Sequence, residues 1–290
     1  MGHVMLRKSV YRTLKNGVPT IIKNKILSTF FPEETELVYD LLKTTDIHGK
    51  RVMFDVGAGH GSTFIQFAND GWQVYAFEPD VYNRQESLKL CEGLSNVMVD
   101  ERAVTDKISK DVPFYRSELS EGISGLSVFD KTHRRDGSVD TTTIKAFCEE
   151  KQIDQIDYLK IDAEGFDFFV LKGVDWNKIK PAVIICEFED GKTEPLGYSL
   201  NMMASFLEEK GYRVLVSEWR PVIRRGGPHT WRRFVRFEND LVDKRAWGNI
   251  IAVSDNKLFE QLELLSGNCV LRWKIGNTIA KAWGYLRGID

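Results

Sequence analysis

The chain contains no C-x-x-C pair, and its four cysteines (Cys91, Cys148, Cys186 and Cys269) stand far apart at no zinc-ligand spacing. That pattern excludes a cysteine-framed zinc module and a disulfide scaffold, and it fits reduced thiols inside a cell. No apolar run approaches the length of a membrane span. The first residues lack the apolar stretch and small-residue cleavage site of a secretory signal. Leu6 stands where a myristoylation signal after Gly2 requires Ser or Thr. A cytoplasmic protein is the expectation. Nor is there a marked excess of one charge: 40 basic against 42 acidic residues give a net charge of −2, which excludes a uniformly basic nucleic-acid binder. RNP and KH signatures are also missing, so no nucleic-acid partner is expected.

What the chain does have is 290 residues, 42% of them hydrophobic, enough for a sizeable core. From Arg51 onward, short β-rich runs alternate with helix-like segments. The runs are Val52–Val56, Gln73–Phe77, Asn96–Val99, Tyr158–Ile161, Ala182–Cys186, Arg213–Val216 and Asn249–Val253. Several are apolar at nearly every position, as strands covered on both faces must be. Between them, Ser62–Asn69, Val81–Leu94, Phe166–Lys172 and Leu200–Lys210 carry helical spacing. The pattern predicts an α/β fold with a doubly wound, Rossmann-like sheet.

Residues 46–265 would form this domain. A basic, helical extension over residues 1–45 would precede it, and an amphipathic helix over 266–290 would follow, with Leu271, Ile275, Ile279, Ala282, Trp283 and Leu286 on one face. Peripheral membrane contact through these basic ends, or pairing of two subunits, is compatible with them. Two stretches break the rhythm. Val112–Tyr115 and Leu126–Phe129 are expected as extra strands before Thr141-Thr142-Thr143 leads into a helix, and residues 219–245 read as a polar insertion on the acceptor side.

The segment Asp55-Val56-Gly57-Ala58-Gly59-His60-Gly61-Ser62 delivers an acid and then a glycine-rich turn to a helix N-terminus. Such a turn lets backbone approach a ligand closely. A dinucleotide site favours G-x-G-x-x-G, and Ser62 occupies the third glycine position. The order acid, then Gly-x-Gly, suits S-adenosylmethionine instead, with Asp55 toward its ammonium and Gly57, Gly59 and Ser62 along its carboxylate side. Glu78, ending the next β run, is placed for ribose hydroxyls; as a bare helix-terminus charge it would serve only the macrodipole. Arg102 and Ala103, after the third run, would flank the adenine by position.

Further on, Lys160-Ile161-Asp162-Ala163-Glu164-Gly165 leads to Leu171-Lys172-Gly173, then to an apolar run ending Cys186-Glu187-Phe188. With the D-V-G-A-x-x-G turn and the threonine triplet, this resembles the FkbM family of methyltransferases over roughly residues 50–255. The resemblance implies a class I methyltransferase sheet, S-adenosylmethionine as cofactor, and O-methylation of sugars, glycans, polyketides or related metabolites. An aliphatic hydroxyl is a weak nucleophile, so a base or a divalent metal should stand near its oxygen. Asp162, Glu187 and His229 are the candidates; Asp162 could also be a plain helix cap and His229 a turn residue. Neither the N/D-P-P-Y/F turn of amino-methylating enzymes nor a Pro-Cys nucleophile occurs, which favours oxygen as acceptor. In residues 212–237, Trp219, Trp231, Arg232 and Arg233 belong to an arginine- and aromatic-rich stretch suited to an acidic or phosphorylated glycan. A glycan-binding or scaffold module that keeps the fold without turnover is the competing reading.

Overall fold

The computed structural model describes residues 34–43, 50–117, 124–221, 230–238 and 240–286, with side chains to residue 271. His229 and most of the basic N-terminal extension lie outside these residues. So do Arg224 and Arg225.

Eight strands form the main sheet: β1 (Val52–Val56), β2 (Gln73–Phe77), β3 (Val97–Asp100), β7 (Tyr158–Ile161), β8 (Val183–Glu189), β9 (Arg213–Trp219), β10 (Trp231–Arg236) and β11 (Trp247–Val253). Their spatial order is β10-β9-β11-β8-β7-β1-β2-β3. The strands β3, β2, β1, β7 and β8 run parallel, while β11 lies antiparallel between β8 and β9. This is a Rossmann-like α/β sheet whose last strand in the chain, β11, is reversed.

Successive residues alternate between two cores, which is why the parallel strands are apolar on both sides. Phe54, Leu159, Ile184 and Cys186 pack on one face with Phe147, Leu171 and Met203. These come from α4 (Ile144–Lys151), α5 (Asp167–Lys172) and α7 (Leu200–Glu209), with the short α6 (Asp190–Thr193) between the last two in the chain. Met53, Val74, Tyr158 and Ile185 pack on the other with Leu41, Phe67 and Leu262, from α1 (Glu34–Lys43), α2 (Ile65–Asn69) and α8 (Asn256–Leu286). The helix α3 (Val81–Leu90) joins β2 to β3, and its N-cap Asp80 accepts from the backbone N–H groups of Tyr82 and Asn83.

A three-stranded sheet, β4 (Ala103–Val104), β6 (His133–Thr142) and β5 (Ser109–Ser117), stands beside β3. Val112–Tyr115 lies in β5 as expected. Leu126–Phe129 is not a strand; its place is taken by β6, whose sequence HRRDGSVDTT carries no apolar alternation and is largely exposed. Thr143 then caps α4, its hydroxyl accepting from Ala146 N at 2.9 Å.

The stretch read as an insertion over 219–245 contributes β10, the sheet's edge strand, paired antiparallel to β9. The helix expected over 266–290 begins ten residues earlier, at Asn256, and runs unbroken to Leu286 as α8. Leu271 is exposed, and the rest of its proposed apolar face lies beyond the described side chains. Among the described residues, no helix is long and apolar enough to cross a membrane.

Candidate active site

The chain reverses direction across the sheet between β1 and β7, and a cleft opens at the carboxyl ends of these strands, where open α/β sheets bind ligands. Its walls include Gly57, Gly59, Glu78, Ala103, Asp162 and Glu164, around about 730 Å³ of atom-free space that takes in the open solvent at its mouth.

The glycine turn follows from crowding. Gly57 has φ +75°, and a Cβ there would overlap the carbonyl oxygen of Asp162. Two strand ends therefore meet with no side chain between them. The N–H groups of Gly57 and Ala58 both donate to Phe77 O, at 2.9 and 3.1 Å, tying the turn to the end of β2. Gly59 N donates to Glu78 Oε2 at 2.7 Å and Asp80 N to Oε1 at 2.8 Å. Each Glu78 oxygen thus spends one lone pair on backbone and keeps another for a hydroxyl donor. Burial pushes the Glu78 carboxyl up to about 7, against the pull of those two N–H groups.

Asp55 does not reach the cleft. It is fully buried, and Lys160 Nζ stands between it and the ligand side, 3.1 Å from Asp55 Oδ1 and 3.5 Å from Asp162 Oδ2. The same ammonium donates to Gly57 O at 3.1 Å. Because Asp55 and Lys160 pair in register on β1 and β7, both project from one face of the sheet. Where the sequence suggested a ligand ammonium, Asp55 meets the ammonium of Lys160, the lysine that clamps the turn. Arg102 is likewise turned away. It grips Asp100 through Nε at 2.9 Å and Nη2 at 2.7 Å, and Glu150 at 3.0 Å, fixing the loop that brings Ala103 to the cleft wall. Ser62 is exposed and lines no part of the cleft.

At the far end, Asp162 keeps 46% of its side chain exposed. The next residues turn sharply, with Glu164 at φ +49° and Gly165 at φ +92°. A left-handed non-glycine residue costs roughly 1–2 kcal/mol, and here the conformation carries Glu164 to Lys192. Lys192 Nζ lies 2.9 Å from Glu164 Oε2, 2.7 Å from Glu187 Oε2 and 3.7 Å from Glu189 Oε2. Beneath them, Asp167 Oδ1 accepts from Glu187 N at 3.0 Å. Burial, then repulsion from Glu187 and Asp162, pushes the Asp167 carboxyl up to about 7. Burial also raises Glu164 and Glu187, with Lys192 opposing it. Glu187 therefore sits behind the cleft wall, not beside Asp162 in a free pair. Among the described residues, no group of three or more His, Cys, Asp or Glu side chains is arranged to hold a metal ion.

The four residues in and beside β10 that the sequence suggested for acceptor binding all have partners within the fold. Arg232 and Arg233 both bind the fully buried Glu218, at 2.8 and 2.7 Å. Trp231 and Trp219 are buried, donating to Ser217 Oγ at 3.1 Å and Glu34 Oε1 at 2.7 Å. Their polar groups fasten α1 and β10 to β9, an edge strand's need for partners having taken what looked like ligand-binding chemistry. Lys192 and Asp167 escape sequence reading because nothing in E-D-G-K-T or G-F-D-F-F marks either residue as interior.

Residues 55–214 match the methyltransferase FkbM domain family. Among solved structures, precorrin-6y C5,15-methyltransferase from Geobacter metallireducens GS-15 is 14% identical, with 77% of this chain and 92% of that one covered and a TM-score of 0.38. A SAM-dependent methyltransferase from Agrobacterium tumefaciens is 9% identical, covering 76% of this chain and 61% of that one, at 0.42. The ribosomal protein L11 methylase of Lactobacillus delbrueckii subsp. bulgaricus is 10% identical, covering 76% and 79%, at 0.37. Likeness at this level identifies no substrate. No curated protein matches the chain.

Proposed function

This chain belongs to the FkbM methyltransferase domain family, and from that premise we propose that it moves the methyl group of S-adenosylmethionine to a hydroxyl oxygen of a sugar or glycan. The observation that carries the reading is Asp162, an exposed carboxylate on the wall of the same cleft as Gly57 and Glu78. When bound, the cofactor supplies an electrophilic methyl carbon on a sulfonium. Gly57 and Gly59 leave room for its amino-acid portion to lie against backbone, and Glu78 offers two oxygens to the ribose. Asp162 takes the proton from the acceptor hydroxyl as that oxygen bonds to carbon and the carbon–sulfur bond breaks, its electron pair leaving with sulfur as S-adenosylhomocysteine. Lys160, anchored by Asp55, keeps the Asp162 carboxylate in place. Alignment of oxygen, carbon and sulfur supplies most of the remaining rate.

The test is incubation with methyl-labelled cofactor and a panel of glycans and small hydroxyl acceptors. The expected product is an ether, stable to alkali; label found on nitrogen, or as an alkali-labile ester, would refute the hydroxyl assignment. Cofactor binding has its own signature. Glu78→Ala should weaken S-adenosylhomocysteine binding by about 1–3 kcal/mol through lost charge-assisted hydrogen bonds. Since Glu78 titrates near 7 when the cleft is empty, and its ionised form is the better acceptor, wild-type affinity should rise with pH across that value. Calorimetry from pH 6 to 8 should find this slope in the wild type and lose it in Glu78→Gln.

A further inference from the structure

The charges at the acceptor end are arranged inside out. The two ammonium groups are interior: Lys192 has 2% of its side chain exposed and Lys160 has 11%. Of the carboxylates they hold, Asp162, with 46% of its side chain exposed, and Glu164, with 14%, line the cleft, while Glu187 and Glu189 stand behind them around Lys192. Behind this layer lie two more acids: Asp55, fully buried with Lys160 as its ion-pair partner, and Asp167, whose Oδ2 lacks a hydrogen-bond partner. A ligand approaching from the cleft therefore meets oxygen before it meets either cation. Two of the arginines expected to grip an anion, Arg232 and Arg233, are committed to Glu218 instead.

We infer that this wall selects the acceptor by charge: the hydroxyl methylated here belongs to a neutral or amino-bearing sugar, with no phosphate or carboxylate beside the reacting oxygen. The inference rests on the O-methylation reading and narrows it, replacing the anionic glycan suggested by the arginine-rich sequence. Like charges a few ångströms apart in a partly desolvated cleft repel strongly, and the repulsion is only partly screened by salt. A cationic or neutral group meets no such barrier. The same wall should also favour positive charge at the methyl position of the cofactor, a property that can be read without knowing the acceptor.

Two measurements on the full chain test this. In the first, calorimetry compares S-adenosylhomocysteine with sinefungin, which carries an amine where S-adenosylmethionine carries its methyl sulfonium. Sinefungin should bind at least tenfold tighter, with the ratio shrinking at high salt and in Asp162→Asn and Glu164→Gln. Asp162 is exposed enough for its variant to fold even if the Glu164 change disrupts the turn. Equal affinities in the wild type, or a ratio unmoved by either substitution, would overturn charge selection. In the second, labelled cofactor is offered with methyl glucoside, methyl glucosaminide and methyl glucuronide in competition. Preference for the first two supports the inference, and preference for the glucuronide refutes it. If both ligands bind in the expected ratio but no hydroxyl acceptor of any charge is methylated, the hydroxyl reading fails while the charge preference of the wall stands.

Discussion

Asp162→Asn should lower turnover by about 10²–10⁴-fold, the usual loss when a general base is removed, while S-adenosylhomocysteine affinity stays within a few-fold of wild type. The structural reason for expecting so clean a separation is that Asp162 serves the fold through its backbone. Its N–H donates to Val56 O at 2.9 Å, and its carbonyl oxygen fills the space left by the missing side chain of Gly57. Asparagine keeps both. Lys160 retains Asp55 at 3.1 Å and Gly57 O at 3.1 Å, so the clamp on the glycine turn survives. What is lost is a carboxylate able to take a proton. Single-turnover kinetics with saturating cofactor would measure this, and an unchanged rate constant would remove Asp162 from the chemistry. An equal fall in kcat and kcat/KM would place the lost interaction in the transition state.

The fold was legible because two-sided burial leaves a strong trace. Val52–Val56, Gln73–Phe77 and Tyr158–Ile161 are apolar at almost every residue, and all three strands begin and end where those runs do. Strands whose ends carry polar residues were read short: β8 continues through Glu187 to Glu189 and β9 through Glu218 to Trp219. The strand β6 was missed because a largely exposed ribbon needs no apolar alternation. At the site, Gly57, Gly59, Glu78, Ala103 and Asp162 all line one cleft, since each sits where a β run ends or turns. Pairing between charges was not legible. A sequence records that Asp55, Arg102, Arg232 and Arg233 carry charge, but whether that charge meets a ligand or a neighbour depends on strand register and on loops far away in the chain. All four found partners within the protein.

Lys192→Met is expected to destabilise the protein by about 3–5 kcal/mol near pH 8, the typical cost of stripping one partner from a buried ion pair. That is a large share of the 5–15 kcal/mol that holds a domain together. Methionine can fill the lysine's aliphatic volume, but Glu164 and Glu187 would then face each other and Glu189 without a cation. Both carboxyls already titrate above their ordinary values because of burial, and Lys192 is the group pulling them down. Removing it raises them further. A carboxyl raised in the folded state contributes stability that is complete below its unfolded value and is lost as pH rises through its folded value. The defect should therefore be greatest on the alkaline side and shrink on acidification toward pH 5, as the folded variant takes up protons that neutralise the stranded acids. Chemical denaturation of both proteins from pH 5 to 8 would measure the gap, and a pH-independent loss would reduce Lys192 to a packing residue. Adding Glu187→Gln to the variant should recover part of the loss at pH 8. Turnover should fall too, even where the variant is fully folded. Glu164 holds its left-handed conformation against Lys192, and without that partner the Asp162–Gly165 turn can relax and carry the proposed base out of line with its acceptor.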